Sequence, residues 1–380
     1  MALVAERTRS SILAPGQNHE LLQRTDRFAR IASEAASKAD ETGVIDPAVW
    51  QALFDSGLTM AAFDAAAGGT GLGVPEQQPT LCTILRRIGA ADLSIARLFE
   101  GHANAIMLVL RYGTSAQLTS LAASVAEGGL TGVWGAEDAI GLRREPRGEE
   151  WSLQGRKVFA SGAGLLRRPL ITAGTPEGPV LYMLNLQPGR RADCGGWTPL
   201  GMKATASGNV NLSDIVVGRS EQIGEPGDFM RQPFFSGGAW RFCAAQLGAM
   251  ERLTALYADQ LRTRGRGSDP YQLERVAQCA AACGTGLLWI EEASRRFGDD
   301  SLDPKAVVAF TNLTRMVTER AALEVIECVQ RGAGLGAFMR GNPIERIARD
   351  LTTYLRQPVP DLAMSDAARA VLAGEIAIGG

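Results

Sequence analysis

Histidine is nearly absent from this chain of 380 residues, which holds only His19 and His102. That scarcity argues against a histidine-built metal centre and leaves little from which to assemble a serine–histidine–aspartate triad. His102 opens the apolar run "ANAIMLVL" and reads as a satisfied histidine at a helix start. The six cysteines (Cys82, Cys194, Cys243, Cys279, Cys283 and Cys328) form no Cys-x-x-Cys pair. Cys279 and Cys283 lie four apart in an alanine-rich stretch and read as buried thiols, so no metal is expected. Reduced thiols point to a cytoplasmic protein.

Charge of one sign is also missing. The chain carries 39 basic and 41 acidic residues, net −2, which gives no electrostatic reason to expect nucleic acid or an anionic membrane as partner. No run approaches the roughly 18 consecutive apolar residues of a membrane span. The longest weakly polar stretch, "CAAACGTGLLWI" from Cys279, reads as a buried helix. The start, "MALVAERTRSS", meets charge at Glu6 and Arg7 and lacks the apolar core of a signal peptide. With 46% hydrophobic and 21% charged residues, the composition is that of a soluble globular protein of two or three domains, or one large layered unit.

What is present falls into three segments, mainly α with a β middle domain. Residues 1–127 read as a helical domain. "LLQRTDRFARIASEAASKADE" spaces its apolar residues for an amphipathic helix, and "DPAVWQALFDSGL" offers Asp46 as cap, Pro47 at the first helical position and Gly57 as stop. Residues 128–230 read as a small β-barrel or sandwich. There "PLITAGTPEGPVLYMLNLQP" makes two β-rich runs around a turn, and "EEWSLQGRKVFASGAG" reads as two strands meeting at Gly155. Residues 231–380 return to long helices, an antiparallel bundle.

This order, with several motifs in it, resembles the acyl-CoA dehydrogenase family of flavoproteins over about residues 16–375. "DETGVIDPAVWQALFDSGLTMAAFDAAAGGTGLG" is similar to the family's entry segment, and "PLGMKATASGNVNLSDIVV" to the end of its barrel, with Lys203 and Asp214 in the matching places. "WSLQGRKVFASGAG" resembles the strand that ends beside the flavin ring. The resemblance implies that Phe159 packs on the isoalloxazine and that Ser161 hydrogen-bonds near its N5. "WGAEDAIG" occupies the place of the flavin- and thioester-lining loop, putting Trp134 at the cofactor, although only Glu137 and Gly141 match the usual pattern. "RTRGRGSDPYQLERVAQ" resembles the segment whose arginine reaches the FAD of a neighbouring subunit, here Arg264, with Pro270 and Gln278 also matching. "RGAGLGAFMRGNPIERIARD" resembles the glycine turn that approaches the FAD phosphates, with Gly332 and Gly334 as candidates. A helix, not a strand, precedes that turn, so it is no Rossmann fingerprint. The implied cofactor is FAD, and the implied assembly a homodimer or homotetramer.

The family's proton acceptor is absent. In "RDLTTYLRQPVPD" the count from Arg349 and Asp350 through Tyr354 places Pro358 where the catalytic glutamate stands. A minority of the family carries it at the start of the bundle, where Ala239, Trp240 and Arg241 stand here. Glu251 lies about three turns on, and Asp361 and Asp366 read as helix caps. The catalytic residue is thus unknown. Three functions follow: an FAD-dependent dehydrogenase of a CH–CH bond beside an activated carbonyl, such as an acyl thioester, with a relocated base; a flavin-dependent monooxygenase on the same fold; or a non-catalytic flavin-binding homologue. The resemblance favours the first.

Overall fold

The apolar spacing near the N-terminus builds helix α1 (Pro15–Thr42), which buries Leu21, Phe28 and Ala32. The computed structural model describes residues 15–356 and 358–376; the start read for a leader, with Glu6 and Arg7, lies outside them. Helix α2 (Pro47–Asp55) begins as the sequence predicts: the Asp46 carboxylate accepts the Ala48 N–H at 3.0 Å, Pro47 fills the first position, and Gly57 takes a φ of +72°. Helices α3 (Gln78–Ala91) and α4 (Leu93–Tyr112) meet at Asp92, which caps α4 by accepting the Ile95 N–H at 2.9 Å. Helix α5 (Ser115–Ala126) opens on a capping box of Thr114 and Gln117. Helix α4 is long and apolar enough to cross a membrane, but it is mostly buried against its neighbours.

Nine short strands follow: β1 (Leu130–Trp134), β2 (Leu142–Arg147), β3 (Glu150–Ala160), β4 (Leu166–Ala173), β5 (Val180–Met183), β6 (Ala192–Asp193), β7 (Gly208–Asn211), β8 (Val216–Val217) and β9 (Gln222–Ile223). They form two sheets, ordered β1-β4-β5-β9 and β2-β3-β7-β6, with β8 on β3. Both sheets contribute to one apolar core that includes Trp134, Ile171, Tyr182, Leu153 and Val210. The expected break at Gly155 is not a chain reversal. β3 runs straight through, pairing with β2 up to Gly155 and with β7 from Arg156 onward. Gly155 sits at φ +120°, and a Cβ there would lie 2.0 Å from the Gly141 carbonyl. The glycine permits a change of partner within one strand, where the sequence suggests two strands.

The bundle comprises α6 (Trp240–Thr263), α7 (Pro270–Phe297), α8 (Pro304–Ala333), α9 (Pro343–Tyr354) and α10 (Pro360–Leu372). Asp269, Asp303 and Asn342 cap three of these helices, each followed by proline at the first position. The first and last helical segments share one core, running from Leu21 through Leu85 and Phe99 to Trp240, Tyr257 and Tyr354. The Arg349–Asp350 pair ties all three parts together. Arg349 grips Asp40 of α1 at 2.7 and 2.8 Å and donates to the Leu200 carbonyl at 2.7 Å, while Asp350 accepts the Met202 N–H at 2.7 Å.

Candidate active site

A cavity of about 1860 Å³ opens where these parts meet. Helix α4 presents Arg97, Glu100, Asn104 and Met107 to it, and the end of β1 presents Val133 and Gly135. The start of α6 adds Ala239, Arg241 and Phe242, α8 adds Arg315, and the C-terminal end of α9 adds Tyr354. Pro358 and Val359, between α9 and α10, complete the wall. The position that the resemblance reserves for a proton acceptor therefore does face a cavity, and it carries a proline.

Two arginines hold that strap to α8: Arg315 donates to the Pro358 carbonyl, and Arg356 pairs with Glu319. The other expected places for a base fare no better. Ala239 and Arg241 line the cavity, while Trp240 is buried in the core. Glu251 pairs with Arg86 at 3.3 Å. Asp361 and Asp366 are exposed, and neither caps α10: its N-cap is Val359, with no side-chain bond, and Asp366 pairs with Arg369. The capping role read from sequence fails because both aspartates lie beyond the cap position.

Glu100, 5% exposed, brings a carboxylate into the cavity wall that the sequence reading passed over. It receives Arg97 at 2.5 Å and also accepts from Asn104. The signal was present: Arg97, Glu100 and Asn104 stand at i, i+3 and i+7, one polar stripe on an otherwise apolar helix. Burial pushes the hydroxyl of Tyr354, 1% exposed, well above the usual tyrosine range, so it stays protonated. Burial also pulls Arg241 down to about 10, where it remains charged at neutral pH. His102 is satisfied, as read, but in the middle of α4 and not at a helix start, because Asp92 begins that helix ten residues earlier: Nε2 meets the Thr59 carbonyl at 2.8 Å, and Nδ1 accepts the Thr131 N–H at 3.2 Å.

Of the residues placed at the cofactor, Phe159 is 72% exposed and held in left-handed backbone at φ +50°, a conformation that costs energy for a bulky residue and marks functional positions. Ser161 sits at the turn after β3, its hydroxyl 3.5 Å from that of Ser207. Trp134 is buried, and its indole N–H donates to the Ser161 carbonyl at 2.9 Å. It fixes Ser161 from behind, and its neighbours Val133 and Gly135 line the cavity. A Cβ on Gly135 would meet nothing within 4 Å. Behind this edge Lys157, fully buried, is held by Glu137 and by Thr172 at 2.7 Å. An exposed aromatic face, a serine hydroxyl and open backbone suit a flat ring system with a polar edge.

Arg264 and Gly334 lie elsewhere. Helix α6 has 24 residues, so about 35 Å of helix separates Arg241 at its start from Arg264 just beyond its end. Arg264 is exposed, and Gly334, at φ +70°, has open space around it. Gly332 lies inside α8, where a Cβ would come within 2.0 Å of the Tyr257 hydroxyl. Its smallness serves that packing.

Helical layer, paired sheets and antiparallel bundle around a cavity define the acyl-CoA dehydrogenase fold, and the chain has that fold. Residues 16–129 match the family model of the acyl-CoA dehydrogenase N-terminal domain. YdbM of Bacillus subtilis (strain 168), named for acyl-CoA dehydrogenases, is 23% identical over 378 residues, covering 92% of this chain and 96% of that protein. The dibenzothiophene monooxygenase TdsC of Paenibacillus sp. A11-2 superposes with a TM-score of 0.81 at 22% identity, over 93% of this chain and 97% of that one. The butyryl-CoA dehydrogenase of Megasphaera elsdenii gives 0.82 at 16% identity, over 95% and 99%. One fold thus serves both a monooxygenase and a dehydrogenase, and the site must decide between them.

Proposed function

We propose that this chain is a flavin-dependent monooxygenase built on the acyl-CoA dehydrogenase fold. The observation that carries this reading is the cavity wall at Pro358: proline stands at the position of the family's proton acceptor, with the Arg315 guanidinium on its carbonyl. The alternative position presents Arg241. Both places from which the family draws a carboxylate base are thus apolar or cationic, which suits chemistry that does not begin by removing a proton α to a thioester.

The ring-side residues suit a flavin, which when bound supplies two-electron redox chemistry and, once reduced, reactivity toward oxygen. Phe159 offers a stacking face, Ser161 a hydroxyl at the ring edge, and Trp134 holds Ser161 in place through its carbonyl. Arg264 and Gly334 are too far along their helices to serve the same protomer's cavity. On this reading they serve the FAD of a second protomer, which makes the protein a homodimer or a tetramer of dimers. TdsC has been crystallised with FMN, and the ring-side residues accept either flavin.

Glu100 favours a second reading, a dehydrogenase with a relocated base, because it is a buried carboxylate in the cavity wall. Its carboxylate is already engaged by Arg97 and Asn104. The two readings separate by experiment. Chemically reduced flavin, labelled dioxygen and a panel of aromatic heterocycles and small organic acids are supplied to the protein; transfer of label into one of them is expected. Anaerobic mixing with short- to long-chain acyl-CoAs is expected to leave the visible flavin band intact. Bleaching by any of them would establish the dehydrogenase instead.

A further inference from the structure

Arg241 is an arginine without a counter-ion. It is 5% exposed and lines the cavity, and among the described residues no carboxylate comes within 4.0 Å of it. Its guanidinium makes only long contacts with neutral acceptors: the Gly238 carbonyl at 3.4 Å, Gln78 Oε1 at 3.4 Å and Met107 Sδ at 3.7 Å. Its Nε has no hydrogen-bond partner.

Aromatic faces, in place of an anion, hold this group. The guanidinium lies 4.6 Å from the Phe297 ring centroid and 5.3 Å from that of Trp240. Phe297 meets Phe234 edge to face at 6.3 Å, and Arg111 sits 3.3 Å over Phe234. A ring face orients a guanidinium but leaves its charge and its in-plane donors available, whereas a carboxylate would neutralise both. Buried charges are ordinarily paired; one held by rings and facing a cavity is kept for a ligand.

A second donor points to the same occupant. Tyr354 also lines the cavity, and its hydroxyl is buried with no partner. Arg241 and Tyr354 line the same cavity. Glu100 itself is committed to Arg97 and Asn104. The cavity therefore keeps a surplus cation and a protonated hydroxyl.

We propose that the substrate is an organic acid whose oxyanion group, a carboxylate or sulfonate, docks on the Arg241 guanidinium with the Tyr354 hydroxyl as a second donor. This deepens the reading of the cavity as the substrate site and does not depend on what the flavin does there. An alkyl chain carries no charge to complement Arg241, so an acid is expected to bind better than a neutral analogue of the same shape.

The test is calorimetric titration of the flavin-reconstituted protein with benzoate, benzenesulfonate and the neutral isostere benzamide. At least one of the two acids is expected to bind at least tenfold tighter than benzamide. Arg241→Gln is expected to erase that preference, and Arg241→Lys to keep part of it. The acid–amide comparison on the unaltered protein decides even where a variant fails to fold. Equal affinity for acids and amide, no binding of either acid, or unchanged benzoate affinity in folded Arg241→Gln overturns the proposal. Failure of the flavin reading shows separately, as lack of flavin uptake before any acid is added.

Discussion

Asp350 and His102 carry opposite pH signatures, because burial acts oppositely on an acid and a base. Burial, with Asp92 nearby, pushes Asp350 up to about 7, above its unfolded value of about 3.9. Its contribution to stability is full below about pH 3.9 and is lost as pH rises through about 7. Burial pulls His102 down to about 4, below its unfolded value of about 6.5. Its contribution is full above about pH 6.5 and is lost as pH falls through about 4. Between about pH 4 and pH 6.5 the two slopes oppose and cancel, each worth about 1.4 kcal/mol per pH unit. Relative to the unaltered protein, urea unfolding should therefore show Asp350→Asn gaining stability as pH rises across that window and His102→Gln losing it. Equal slopes in all three would contradict the assignment. At this scale the sequence was half legible. The Arg-Asp pair and Phe159 could be picked out by motif. The inward facing of Glu100 and Arg241 was not legible, although a polar stripe marks the first and register the second, because a charged residue on a helix is usually at the surface, and only packing from other segments turns those two inward.

At the scale of elements, α3 and α6 cross at glycines. A Cβ on Gly248 would lie 1.9 Å from the Arg86 carbonyl, and one on Gly89 2.1 Å from that of Ala245. Gly248→Ala should therefore destabilise by about 1–3 kcal/mol through overpacking. Gly284 in α7 has nothing within 4 Å of its missing Cβ, so Gly284→Ala should stabilise by about 0.5–1 kcal/mol through helix propensity. Denaturant midpoints for the pair check both signs at once. Helix positions were readable because proline, capping residues and apolar spacing are local signals. The continuity of β3 was not, because whether a glycine turns the chain or changes its partner depends on which strand lies alongside. The shared core of the first and last helical segments was equally hidden, since contacts between Leu85 and the α6 region leave no mark on local pattern.

At the scale of the molecule, the bundle leaves apolar side chains uncovered: Tyr271, Leu273 and Leu288 on α7, Leu323 on α8, and Leu335, Phe338 and Met339 after it. Such a surface, on the helix that follows Arg264 and on both sides of Gly334 in the chain, is what a second protomer would cover. Leu288→Glu is expected to reduce the assembly mass in sedimentation analysis. Arg264→Ala is expected to weaken retention of FAD while leaving FMN uptake unchanged; equal loss of both flavins would place Arg264 outside a diphosphate contact.

All of this rests on a flavin ring at the edge formed by Phe159 and Ser161. Fluorescence titration of FMN and FAD with the full chain tests that most directly. Saturable quenching that ends at one flavin per chain, weakened when Phe159→Ala and Ser161→Ala are combined, is the expected result. Flavin fluorescence that the protein leaves unchanged, or quenching indifferent to those two substitutions, would contradict it.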